Sequence, residues 1–157
     1  MQLLYSTDLA LRTLIRLSAE PDRHLSTELL ARELDVSRHH LQKVVQSLTD
    51  AGFLRTIRGV KGGAMLARPP GAIRVGEVVR HQEREQAIAE CFRDGGNCTL
   101  VPCCQLKGVL KGAREAFFRH LDKFTLADCM TSAQDVLALA EPSDTRMARP
   151  PRFPDDR

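Results

Sequence analysis

A chain of 157 residues has room for one ordinary domain with its own core, or for a small domain and an oligomerisation element, and too little for a multi-domain enzyme. Hydrophobic residues at 43% and charged residues at 27% exclude a fibrous or wholly disordered chain. No stretch reaches the roughly 18 consecutive apolar residues of a membrane span. Asp8, Arg12 and Arg16 stand where a signal peptide would have its apolar centre, so a soluble protein of the cytoplasm is expected. The net charge of +3 is small but unevenly spread. Ser37 to Arg68 holds six Lys or Arg against the one acid Asp50, a balance of +5, whereas His81 to the C-terminus holds 11 basic against 12 acidic residues, a balance of −1. A nucleic-acid contact would draw on the first of these segments.

In chain order, Ser6 and Thr7 are suitable caps for a first helix near residues 7 to 19, where Ala10, Leu11, Leu14, Ile15 and Leu17 recur at helical spacing. Pro21 and Asp22 end it. Ser26 caps a short second helix with Leu29, Leu30 and Leu34 on its apolar face. After the tight turn Asp35-Val36-Ser37, a third helix capped by Ser37 runs to about Asp50, turning Leu41, Val44, Val45 and Leu48 inward. Past Gly52 the period changes. Residues 53–58 and 64–68 are strand-like and joined by a glycine-rich tip, which predicts a β-hairpin. Ile73 to Val75 have room for a brief pairing before a helix carrying Val75, Val78 and Val79. From about Glu90 to Pro102 no period exists and a loop is expected. Leu106, Val109, Leu110, Ala113, Ala116, Phe117, Leu121 and Phe124 then recur at three and four, which predicts a long amphipathic helix. Its stripe either packs on the N-terminal part or pairs with a second copy. The expected organisation is residues 1–80 for DNA binding, 81–104 for the cysteine-bearing loop, 105–140 for a dimerisation helix and a C-terminal helix, and 141–157 as a disordered, proline-rich tail.

Two short helices at a tight turn followed by a basic hairpin describe a winged helix-turn-helix, in a fold that is otherwise mainly α. The third helix would lie in the major groove, with Ser37 and the first-turn amides near a phosphate. Arg38, His39, His40, Gln42 and Lys43 stand on its first two turns, where base edges are reached. Arg58 and Lys61 would anchor the wing. Each of these alone is an ordinary solvated surface residue; their coincidence on one helix and one loop tip favours double-stranded DNA.

Cys91, Cys98 and Cys104 are separated by six and five residues in a loop that leads into the long helix. Thiolates suit iron–sulfur clusters or zinc, and three within fourteen positions can surround one site. Zinc sites favour pairs separated by two to four residues, which makes zinc the weaker reading; a disulfide is disfavoured in a reducing compartment. Cys103 adjoins Cys104, so only one of the two is expected to ligate. Cys129, among Leu126 and Ala127, is expected to be a buried small hydrophobe.

The residues also carry a resemblance. Met1-Gln2-Leu3, Thr7-Asp8 with Ala10-Leu11-Arg12-Thr13-Leu14-Ile15, and Val36-Ser37-Arg38-x-His40 are followed by Arg58-Gly59-x-Lys61-Gly62-Gly63, Cys104-x-Leu106-Lys107 and Phe124-Thr125-Leu126-Ala127-Asp128. Together, over about residues 1 to 140, they resemble the NsrR family of nitric-oxide-sensing bacterial repressors. The related IscR regulators place a histidine three positions after the last cysteine, where this chain has Lys107. The resemblance implies an iron–sulfur cluster, 2Fe-2S or 4Fe-4S, held by Cys91, Cys98, Cys104 and by Asp8 from the partner subunit. Without it, Asp8 is a first-turn carboxylate that complements the helix dipole. The resemblance further implies a homodimer on a palindromic operator, with nitric oxide as the signal and genes of nitric-oxide detoxification or nitrogen-oxide metabolism as targets. The competing expectation is a zinc-binding or thiol-redox regulator without a cluster. No phosphate loop, nucleophile elbow or paired catalytic carboxylates point to an enzyme.

Overall fold

The computed structural model describes residues 2–57, 59 and 62–140, so Arg58, Lys61 and the segment 141–157 lie outside the described residues. The first helix, α1 (Tyr5–Ser18), buries Leu9, Ala10, Leu14 and Leu17 completely. The next two, α2 (Thr27–Glu33) and α3 (Arg38–Asp50), begin at the expected serines. Ser26 Oγ accepts the Leu29 amide at 3.1 Å and Ser37 Oγ accepts the His40 amide at 3.2 Å. Between them Asp35 adopts φ 53°, a left-handed conformation that Asp tolerates better than most side chains. Gly52, at φ 74°, ends α3, and the Phe53 amide closes the turn on the Leu48 carbonyl at 2.9 Å.

The hairpin consists of β1 (Leu54–Ile57) and β2 (Gly63–Leu66), antiparallel, with Leu54 opposite Leu66 and Ile57 opposite Gly63. Leu25 adds a single rung beside it, exchanging two 2.9 Å backbone bonds with Ala64. The wing is thereby fixed to the helix-turn-helix just ahead of α2. Leu9, Leu14, Leu17, Leu30, Leu41 and Leu48 form the main core with Phe53, Leu54, Leu66, Ile73 and Leu126. Arg16, also buried, donates from Nε to Glu33 Oε2 at 2.7 Å and from Nη2 to Glu20 at 2.9 Å, so it ties α1 to α2 from inside.

The remaining helices are α4 (Val75–Gln82), α5 (Leu106–Leu121) and α6 (Ala133–Ala140). The brief pairing expected at Ile73 to Val75 exists and its partner is distant. Val75 donates to the Phe124 carbonyl at 2.9 Å and Leu126 to the Ile73 carbonyl at 3.0 Å, which folds the segment after α5 back under α4. A second core of Val75, Val79 and Phe118, with Leu3, Leu11, Phe117 and Leu121, docks α5 on α4 and α1. Arg80 clamps the end of α5 through both carboxylate oxygens of Asp122, one bond at 2.7 Å, over the Phe118 ring. Gly76 leaves the space for this pair, since a Cβ there would fall 2.0 Å from Asp122 Oδ1. Only Phe118 of α5 is buried; Leu106, at 54%, and Val109, at 66%, stay exposed with Ala113 and Ala116. The long helix therefore packs on its own chain along one edge and leaves a second apolar edge open.

Candidate functional site

The four inward residues of α3 leave His39, Gln42, Lys43, Gln46 and Asp50 on the opposite side of the helix, where they line an open groove with Ser47 and Arg84. Arg38, His39, His40, Gln42 and Lys43 are all exposed, as expected of a face that reaches DNA. Ser37 Oγ is occupied by the His40 amide, so the donors left for an anion at this end are first-turn amides, which have no intrahelical acceptor. The His40 ring stands edge-on to Tyr5 at 6.3 Å, which brings the start of α1 against the start of α3. Arg55 is exposed on the wing. Arg68 is not free for DNA in the same way: it pairs with Glu77 at 3.1 Å and lies 5.4 Å from the centre of the Phe53 ring.

Asp8 lies in the first turn of α1 with its side chain 54% exposed, paired with Arg12 one turn on. Neither Ser6 nor Thr7 caps this helix. It starts at Tyr5 with no side-chain cap bond from Leu4, and the role passes to a residue from the far end of α4. The buried Glu83 carboxylate accepts the Leu4 amide at 2.9 Å and the Thr7 hydroxyl, so a negative charge sits at the positive end of the helix. Its partners lie 79 and 76 positions away, and no local signal in the sequence marks it. Glu83 thus holds the turn that carries Asp8 to the residue at which the cysteine loop begins. Arg114 of α5 reaches the same point, donating to the Glu83 carbonyl at 3.3 Å.

Cys91 lies in a 3-10 turn, Glu90–Phe92, while Cys98 and Cys104 lie in irregular chain; all three are half-buried, and Cys103 is exposed. Among the described residues no three His, Cys, Asp or Glu side chains converge on a common metal position, so a single chain does not bring Asp8, Cys91, Cys98 and Cys104 together. The limbs of the loop do approach each other, because Lys107 Nζ stands 5.7 Å from the centre of the Phe92 ring. In sequence Cys91 adjoins Phe92 and Cys104 shortly precedes Lys107, with Cys98 between them. Cys104 Sγ accepts the Leu106 amide at 3.4 Å, a bond of the kind that tunes cluster-bound sulfur, whereas Cys103 Sγ donates to the Leu100 carbonyl at 3.5 Å. Three thiols are donors of the kind that suit an iron–sulfur cluster, and of the neighbouring pair Cys104 alone accepts a backbone amide, although the three do not converge among the described residues of this chain. Cys129 departs from the buried role expected of it. Its segment closes as a single 3-10 turn, Ala127–Cys129, the core position is filled by Leu126, and Cys129 is exposed. Desolvation and the neighbouring Asp128 raise its thiol above the ordinary value, which makes it a poor thiolate.

A family model described as Rrf2, iron-dependent transcriptional regulator, matches residues 4–132. The chain is 40% identical over 141 residues to the HTH-type transcriptional regulator NsrR of Geobacillus kaustophilus, covering 88% of this chain and 96% of that protein. To the HTH-type transcriptional regulator NsrR of Bacillus subtilis it is 41% identical over 141 residues, covering 88% and 97%. Among solved structures it is similar to CymR, the global cysteine regulator of B. subtilis, with a TM-score of 0.64 at 25% identity over 82% of this chain and 95% of that one. It shares its fold with T. potens IscR, with a TM-score of 0.61 at 21% identity over 94% of each.

Proposed function

We propose, for a chain that belongs to the Rrf2 family of transcriptional regulators, a homodimeric repressor that binds a palindromic operator and releases it in response to nitric oxide. It is a DNA-binding regulator and not an enzyme. The observation that carries the DNA reading is the exposed polar face of α3, set beside the wing by a core that fixes both. Arg38, His39, His40, Gln42 and Lys43 read or flank base edges, Ser37 orders the first turn of the helix, and Arg58 and Lys61 hold the wing to the backbone. The open edge of α5, with Leu106, Val109, Ala113 and Ala116, takes a second copy of the chain. The two α3 helices then reach half-sites about one helical turn apart, roughly 10 base pairs.

Cys91, Cys98 and Cys104 would hold the cluster, with Asp8 of the partner subunit as the fourth ligand. When bound, an iron–sulfur cluster of either the 2Fe-2S or the 4Fe-4S type supplies iron with which nitric oxide reacts. The chain's own part is a choice between two partners for Asp8. In the free chain Asp8 pairs with Arg12 on an exposed face, an interaction easily exchanged in water. Engaged across the subunits, Asp8 would fix α1 at the turn that Glu83 already pins, and α1 carries its position to α3 through Leu9, Leu14 and the Tyr5–His40 contact. Returned to Arg12, it leaves that orientation unsupported. The reading places the protein in the cytoplasm, where thiols stay reduced.

Purification without oxygen tests the cofactor. Brown protein with iron and acid-labile sulfide in equal amounts supports the cluster, and colourless protein with stoichiometric zinc contradicts it and favours the zinc or thiol alternative.

A further inference from the structure

We infer that Arg84, at the root of the cysteine loop, is a third contact with the DNA backbone beside the recognition helix and the wing. The inference rests on the DNA-binding reading of α3. Arg84 comes from neither the helix-turn-helix nor the hairpin, yet its side chain lines the outer groove of α3 together with His39, Lys43 and Asp50. It is positioned by a network. Nη1 donates to the His81 carbonyl at 3.0 Å and lies 3.0 Å from Nε2 of the His81 ring. That Nε2 is in turn 3.2 Å from Ser47 Oγ on α3, which also accepts Gln82 Nε2 at 3.4 Å. The end of α4 is thereby latched to the recognition helix, and Arg84 projects beyond the latch.

The charges around it favour an anion from outside. Arg84 is 55% exposed, and the carboxylate it pairs with among the described residues, Glu85, is 87% exposed at 3.5 Å, a pair of little worth in water and readily exchanged for a phosphate. Asp50, the carboxylate of the groove, already accepts Gln46 Nε2 at 2.7 Å. Arg84 stands beside Ser47 and Asp50, in the last turns of α3, whereas base edges are reached from the first two turns. The DNA element within its reach is the sugar–phosphate wall of the groove, so the contact adds affinity and not sequence preference. Because Arg84 directly follows Glu83 and precedes Cys91, the loop has a short route to the operator that bypasses α1.

The test is operator binding by the full chain, purified without oxygen, titrated at several salt concentrations alongside an unrelated duplex. Arg84→Ala should weaken both complexes about tenfold or more at 0.1 M salt, and should reduce the slope of log affinity against log salt by about two for a dimer that places two such arginines. Arg84→Lys should restore most of the loss, because a phosphate accepts a point charge, and Lys123→Ala, an exposed cation beyond α5, should leave the slope as in wild type. An unchanged slope in Arg84→Ala overturns the inference, whether affinity is retained or lost. Wild type that binds operator with Arg84→Ala indistinguishable from it removes this contact alone, whereas wild type that binds no duplex removes the reading beneath it as well.

Discussion

Asp8 stands on the first turn of α1 and Glu83 reaches that turn from the end of α4, and they act in opposite ways: one is exposed and exchangeable, the other buried and committed. Replacing Asp8 by Ala removes only a surface ion pair, so unfolding in urea should shift by less than about 1 kcal/mol. The same change should alter the visible spectrum of the anaerobic protein and uncouple its operator affinity from nitric oxide. Glu83→Ala leaves a part-buried amide and a buried hydroxyl without their acceptor, a loss of about 1–3 kcal/mol in urea unfolding. Glu83→Gln, which keeps one acceptor oxygen, should fall between that variant and wild type. Gln42→Ala should relax base preference at one position in each half-site and leave stability alone; an unchanged preferred sequence would take Gln42 out of the reading set. The cysteines could be singled out in the sequence because their type and clustering are chemically distinctive, whereas Asp8 stood out only through the family resemblance. Glu83 could not, because its role exists only once chain 76 to 79 positions away is folded against it.

Helix periodicity and serine caps were enough to place α2, α3 and α5, since those signals act within one or two turns. The start of α1, the pairing of Ile73–Val75 with Phe124–Leu126 and the exposure of Cys129 were not legible, because each depends on a distant partner or on a turn too short to have a period. The two edges of α5 give a clear contrast. Val109→Asp lies on the open edge, so it should abolish the proposed dimer in sedimentation experiments while the chain keeps its helical circular dichroism. Val79→Asp, in the closed core, should fail to fold. At the far end of α5, the Arg80 guanidinium holds the Asp122 carboxyl below the usual carboxylate range. A carboxyl whose value is depressed by folding contributes stability at neutral pH and loses it as pH falls through that value. Wild type should therefore lose stability below about pH 4 more steeply than Arg80→Ala, as read by urea midpoints across that range.

At the scale of the whole molecule, one buried core holds α3, the wing and α1 in fixed relation, and a second holds α5 to α1 and α4. The winged helix-turn-helix was legible because its turns, caps and change of period are local. The path of the cysteine-bearing segment was not, since it is irregular chain with no period to place Cys91, Cys98 and Cys104 relative to one another. Under the proposed function, the state of this loop sets operator affinity through Asp8. This coupling is tested most directly by titrating the operator with anaerobic wild type and with Asp8→Ala, before and after nitric oxide, following the visible spectrum in the same samples. The account predicts that wild type binds tightly and releases as its spectrum changes, while Asp8→Ala binds with one affinity throughout. Release by both proteins to the same extent, or by neither while the spectrum changes, would contradict it.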